Sequence, residues 1–170
     1  TAQPRKLMQD TPSYADVWQA RIVTLFPELF PGVLGASLTG KALHDGKWQL
    51  HTHDLRPYGI GKHRNVDDTP AGGGAGMVLR ADVVGPALAD AQSHAQGRLC
   101  GRFEGVDERV IEHFGITEVS LGDFVMTGGE LAAQAMIDTT VRLLPGVLGN
   151  ADSTVEESHS NGLLAHPQYT

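Results

Sequence analysis

The chain has 170 residues, 41% of them hydrophobic, and a formal net charge of −7. That length supports one ordinary domain with a real core. No run approaches about 18 consecutive apolar residues, which excludes a helical membrane span, and the single cysteine, Cys100, excludes an internal disulfide and fits a reducing cytoplasm.

The charge is unevenly spread. Residues 1–64 carry eight Lys/Arg against five Asp/Glu, and residues 65–170 carry five against fifteen. His51, His53, Arg56, Lys62, His63 and Arg64 fall together in the first part. Such a cluster suits contact with phosphates and equally suits an ordinary solvated surface.

Thr1 to Trp18 is polar, lacks an apolar h-region and reads as a tail rather than a secretory signal. Ala20 to Phe26 reads as a buried strand ended by Pro27, followed by an irregular helix from Glu28 through Leu34. A second helical piece covers Leu38 to His44 and stops at Asp45-Gly46; Lys47 to Leu55 alternates as a second strand. Strand, helix, strand points to an α/β layer with a parallel sheet.

Arg56 to Gly76 is a long Gly- and Asp-rich loop of the kind that carries function or stays disordered. Ala81 to Gln96 reads as a helix with Val84, Leu88 and Ala91 on one face, and Thr117 to Leu121 as a short strand. The clearest helix follows. Ala133, Met136, Ile137, Thr140, Val141 and Leu144 form its buried stripe, Gln134, Asp138 and Arg142 share its other face, and Pro145-Gly146 ends it.

Four segments carry chemical signal. The first is His63-Arg-Asn-Val-Asp-Asp-Thr-Pro70 running into Gly72-Gly-Gly-Ala-Gly-Met77, where glycines admit a ligand close to the backbone and the acids can accept from a guanine edge or a ribose. The second is Cys100-Gly-Arg-Phe-Glu-Gly-Val-Asp-Glu-Arg109. The third is Ser120-Leu-Gly-Asp-Phe-Val-Met-Thr-Gly-Gly-Glu130. The fourth is Pro145-Gly-Val-Leu-Gly149 with the acidic, Ser-rich stretch Asp152 to Ser160. Each alone is weak, since Gly-rich loops are common turns. No G-x-G-x-x-G follows the first strand, where Phe26 leads into Pro27-Glu28, and this argues against a dinucleotide-binding enzyme.

Together and in this order, the four segments resemble the bacterial tRNA (guanine-N1) methyltransferase family from about Ile22 to Thr170, including the Leu25-Phe-Pro-Glu28 strand end. The resemblance implies an α/β fold with a parallel sheet and a deep C-terminal trefoil knot (SPOUT-type), a rare topology. It divides the chain into a tail over 1–18, a knotted cofactor-binding domain over 19–150, and a linker over 151–170 that precedes a helical domain this sequence does not contain. It also implies S-adenosylmethionine as methyl donor, a divalent metal, usually Mg2+, tRNA as substrate, a homodimer and a cytoplasmic location. A non-catalytic tRNA- or cofactor-binding protein of the same fold is the rival reading.

By motif, the resemblance puts Gly101, Phe103 and Glu104 beside the cofactor, with Glu104 also a candidate metal ligand. Ser120, Leu121, Gly122, Asp123, Phe124, Val125 and Met126, with Gly128 and Gly129, form the loop around its adenine and ribose. Phe103 and Phe124 read equally well as core side chains, and Cys100 reads better as one, having no basic neighbour but Arg102. Asp67 is implied to hold the target guanine, and His63 and Arg64 to touch the tRNA backbone.

Guanine N1 holds its proton near neutral pH, so methylation there needs a base at N1 and a positive or hydrogen-bonding group at O6. The resemblance assigns Arg142 to O6 and Glu157 to N1. Taken as residues alone, Arg142 would instead pair with Asp138 four positions earlier, and Glu157 would be part of a solvated loop. Three departures stand out. Glu157 occupies a position where the family commonly has aspartate, Ala71 stands where an aromatic is common, and a family segment of a few dozen residues is missing between Arg98 and Leu99.

Overall fold

The computed structural model describes residues 17–92 and 98–148. β1 (Trp18–Thr24) and β2 (Trp48–Asp54) lie parallel and in register, from Trp18 opposite Trp48 to Thr24 opposite Asp54. β1 therefore starts inside the stretch read as a tail and ends before Leu25 and Phe26, because Pro27 opens a turn and pulls the chain off the sheet. A third strand, β5 (Arg98–Leu99), pairs parallel with the other edge of β1, giving the order β2-β1-β5. The parallel sheet expected from the sequence is present.

Between β1 and β2 the expected helix over Glu28 to Leu34 is replaced by two 3-10 turns, Pro27–Leu29 and Gly32–Gly35. Pro31 removes a donor and Gly32 takes a φ of +54°, so a continuous helix cannot pass through this stretch. α1 (Ser37–His44) follows as expected and closes the crossover. The long loop over 56–76 holds a 3-10 turn, Arg56–Tyr58, and one small strand. That strand, β3 (Asp67–Asp68), runs antiparallel to β4 (Val78–Leu79). α2 (Ala81–Gln92) begins where expected; the remainder of that expected helix, through Gln96, lies outside the described residues.

Helices cover both faces of the sheet. Val23, Leu25 and Leu55 pack with Leu79 against Val83, Val84, Ala87, Leu88 and Ala91 of α2 and Val110 of α3 (Glu108–Phe114). On the other face Ala20, Ile22 and Trp48 meet Leu34, Ala42 of α1, Cys100, and Ala133, Ile137 and Val141 of α4 (Glu130–Val141). The alternation of Ile22 and Val23 between the two clusters is the period of a strand buried on both sides.

α3 was not expected. Its boundary signals stand in the sequence all the same. The Asp107 carboxylate caps it by accepting from the Arg109 amide at 3.0 Å, and Gly115 ends it at φ +59°. The expected strand at Thr117–Leu121 does not form. Val119 and Leu121 are exposed, and no strand of the described sheet lies beside them to supply a ladder.

In α4 the expected stripe is buried at Ala133, Ile137 and Val141, whereas Met136, Thr140 and Leu144 are half-buried. Gln134 was expected on the solvent face with Asp138 and Arg142, but it is buried. Its amide donates to the Leu29 carbonyl at 3.0 Å, which satisfies it inside. No helix among the described residues is long and apolar enough to cross a membrane.

Candidate functional site

β1 is flanked by β2 on one side and β5 on the other, so the chain moves outward to β2 and later crosses back over β1 to β5. Open α/β sheets bind ligands outside the carboxyl ends of their strands at such a switch point. Here β1 runs out into Leu25 and Phe26, and β5 into Cys100 and Gly101. A cavity of about 1140 Å³ opens beside them.

Two motifs supply much of its wall, and α3 with the stretch after it supplies more. One is the second motif, with Gly101, Phe103 and Glu104. The other is the third motif, with Ser120, Leu121, Gly122, Phe124, Met126, Gly128 and Gly129. Of the residues expected at the cofactor, Asp123 and Val125 are not in the lining, and Val125 is fully exposed. The segments are laced at their base. Arg102 and Gly128 form an antiparallel bridge, and the Gly129 amide donates to the Gly101 carbonyl at 2.9 Å. A side chain at Gly129 would meet Gly101 N at 3.0 Å and Cys100 Cα at 3.1 Å, so only glycine allows this approach.

Phe103 and Phe124 are 50% and 61% exposed and do not pack in the core. Phe103 also holds a φ of +62°, a left-handed conformation that is costly for a bulky residue and is found where a site needs it. Cys100, by contrast, is buried, and burial first, then the Glu130 charge, push its thiol up to about 12. It is a core residue, as expected.

Sequence reasoning missed Arg102 and Glu130. Glu130 is 2% exposed, accepts from Thr24 Oγ1 at 2.7 Å, and meets Arg102 with Nε 3.3 Å from Oε1 and Nη2 2.9 Å from Oε2. The second of these is a charge contact without hydrogen-bond alignment. The signal was available: Glu130 directly follows Gly128-Gly129, at the first turn of the clearest helix, where a carboxylate is favoured.

The first motif reaches the same region through its end. Glu104 N donates to Met77 O at 2.9 Å, Leu79 N to Gly105 O at 3.0 Å, and Asp107 N to Leu79 O at 3.2 Å. A side chain at Gly76 would overlap that of Glu104. Asp67 sits on β3 and His63 is exposed. Arg64, at φ +50°, donates to the Pro57 carbonyl at 3.0 Å. Arg142 is half-buried at the C-terminal end of α4, and Glu157 lies outside the described residues.

The cavity fits a nucleoside-sized cofactor. It has glycines where backbone must come close, exposed aromatic rings, and a volume at the upper end of small-molecule pockets. The fit for a divalent metal is poorer, because no group of three His, Cys, Asp or Glu side chains gathers among the described residues.

The family described as tRNA (Guanine-1)-methyltransferase TrmD matches this chain over residues 18–99 and again over 98–170. A protein named tRNA (guanine-N(1)-)-methyltransferase from Roseobacter denitrificans is 69% identical over 183 aligned residues, covering 91% of this chain and 76% of its own length. Its namesake from Ruegeria sp. strain TM1040 is 65% identical, covering 96% and 79%. The crystal structure of tRNA (m1G37) methyltransferase from Aquifex aeolicus superposes with a TM-score of 0.68 at 30% identity, over 79% of this chain and 73% of that one. The chain belongs to the tRNA (guanine-1)-methyltransferase TrmD family.

Proposed function

We propose that this protein transfers a methyl group from S-adenosylmethionine to N1 of the guanine 3′ of the anticodon in tRNA. The observation that carries the reading is the single cavity that Gly101, Phe103 and Glu104 share with Ser120 to Gly122, Phe124 and Gly128-Gly129. The relatives' names support the catalytic form of it, and the non-catalytic binding reading is not favoured.

When bound, S-adenosylmethionine supplies a methyl activated on a sulfonium, which leaves the protein the tasks of alignment and proton removal. Loop backbone from Leu121 to Gly129 holds the adenine and ribose. Glu157 takes the proton from N1 and so leaves its lone pair free, while Arg142 steadies the charge that grows at O6. Asp67 holds the guanine, and His63 and Arg64 meet the tRNA backbone. Glu104 would be the carboxylate that meets Mg2+, a single ligand where no group of three gathers among the described residues.

The finer fold reading is a trefoil knot drawn through the 100–105 and 120–129 loops, supported by the lacing of Gly101 to Gly129. A homodimer is supported by exposed apolar side chains on and beside the outer face of α4, Leu29, Val33 and Leu131. A segment absent between Arg98 and Leu99 is supported by the match dividing there and by an alignment of 183 residues that is longer than the 170-residue chain. A buried, free Cys100 suits the reducing cytoplasm where tRNA is modified.

The test is transfer of labelled methyl from S-adenosylmethionine to tRNA transcripts carrying guanine or adenine 3′ of the anticodon. Label in the guanine transcript alone is expected. No label in either, with cofactor binding intact, would overturn the catalytic reading.

A further inference from the structure

Among the described residues Glu130 is the one charged side chain that is buried. A carboxylate held away from water needs a partner of opposite charge and good geometry. Its partner is Arg102, whose guanidinium meets three groups of the protein. Nε and Nη2 face Glu130, Nη1 donates to the Thr127 carbonyl at 3.2 Å, and Cζ lies 4.4 Å from the centre of the Phe26 ring. Thr24 completes the group, donating from Oγ1 to Glu130 and accepting there from the Phe26 amide at 3.0 Å.

Arg102 lines the cavity, and each of its three guanidinium nitrogens faces a protein oxygen. What it joins is informative. Arg102 stands on the first cavity loop, Thr127 on the second, Glu130 at the start of α4, and Thr24 and Phe26 at the end of β1. A side chain at Gly128 would overlap the Arg102 guanidinium and lie 2.6 Å from Glu130 Oε2, so the glycine before the helix leaves room for the pair to close.

We propose that Arg102 and Glu130 are positioning residues for the methyl donor. The pair fixes the spacing of the two loops that line the cavity and ties both to the end of the central strand. The proposal rests on the reading of that cavity as the S-adenosylmethionine site. Its consequence is selective: breaking the pair lets the loops separate, so cofactor affinity falls while tRNA affinity holds.

The experiment measures the dissociation constant of S-adenosylmethionine by calorimetry, the KM for tRNA, and the melting temperature, using the full chain. Glu130→Gln keeps the shape and removes the charge. It is expected to raise the cofactor constant at least about tenfold, as loss of a partner that orients a ligand-holding group does, with tRNA KM unchanged. The double variant Arg102→Met with Glu130→Leu replaces the ion pair by apolar groups of similar size and so keeps the fold; it is expected to melt near the wild type and still bind cofactor weakly. Thr24→Ser keeps the hydroxyl and is expected to keep wild-type affinity, while Thr24→Val weakens it. A folded Glu130→Gln or double variant with the wild-type constant would overturn the proposal alone. A wild-type chain that binds no S-adenosylmethionine would overturn the functional reading and the proposal with it.

Discussion

The amide of Gly129 donates to the carbonyl of Gly101 at 2.9 Å, joining the start of α4 to the loop that follows β5. The contact leaves no space for a methyl group, because the nearest atoms are backbone and cannot rotate away. Gly129→Ala is expected to cost about 1–3 kcal/mol of stability as an overpacked site and to weaken cofactor binding in the protein that folds. Thermal melting with and without S-adenosylmethionine checks both; a variant that melts and binds like the wild type contradicts the close approach.

Arg142 and Glu157 are separated by kinetics. Arg142→Ala is expected to lower kcat by about 10²–10³, the loss typical of a donor to a developing oxyanion, with little change in cofactor affinity. Equal loss of both would point to a structural role at the end of α4. Glu157→Gln is expected to stop transfer and leave cofactor binding intact. Glu157→Asp tests whether the shorter acid serves equally well at this position.

Cys100 gives a pH-dependent prediction. Its thiol is pushed up to about 12, so the folded protein holds the proton at pH values where the unfolded chain, with a thiol near 8.5, releases it. Stability from this group is therefore present below about pH 8.5 and lost as pH rises from there toward 12. Thiolate is the reactive form. At pH 8 the native thiol is expected to react with a disulfide reagent at least about a hundredfold more slowly than in urea-unfolded chain. Comparable rates would mean Cys100 is open to solvent.

Trp48 anchors the second face of the sheet. It is fully buried, donates from Nε1 to the Thr39 carbonyl at 3.0 Å, and sits 6.3 Å from the Trp18 ring. Trp48→Ala is expected to cost about 3–5 kcal/mol, read as an earlier midpoint in urea. Trp48→Phe keeps most of the apolar contact but loses the Nε1 hydrogen bond and some volume, and is expected to cost about 1–3 kcal/mol.

The sequence made some of this legible and hid the rest for identifiable reasons. Ile22 and Val23, with Ala20, Leu25 and Phe26 around them and Pro27 after, marked β1. The 3.6-residue spacing of Ala133, Ile137 and Val141 marked α4. The strand read at Thr117–Leu121 had the right composition, but a strand needs a neighbour, and composition does not say whether one is there. Gln134 was placed outside by polarity, yet one carbonyl, that of Leu29, was enough to bring it in. At the site, motifs pointed to Phe103 and the Gly128-Gly129 pair, whereas Arg102 became visible only when Glu130, Thr127 and Phe26 were seen to meet around it.

Met77 and Leu79 are pinned to Glu104, Gly105 and Asp107, and Leu79 stands opposite Asp67 in the β3-β4 ladder. The glycine stretch from Gly72 to Gly76 is therefore a loop closed at its base. At its tip a Cβ on Gly72, Gly73 or Gly74 meets nothing within 4 Å. A residue inserted there lengthens the loop and leaves Asp67 at its register, so the spacing between Asp67 and the cavity wall is held by strand pairing and is indifferent to the number of glycines.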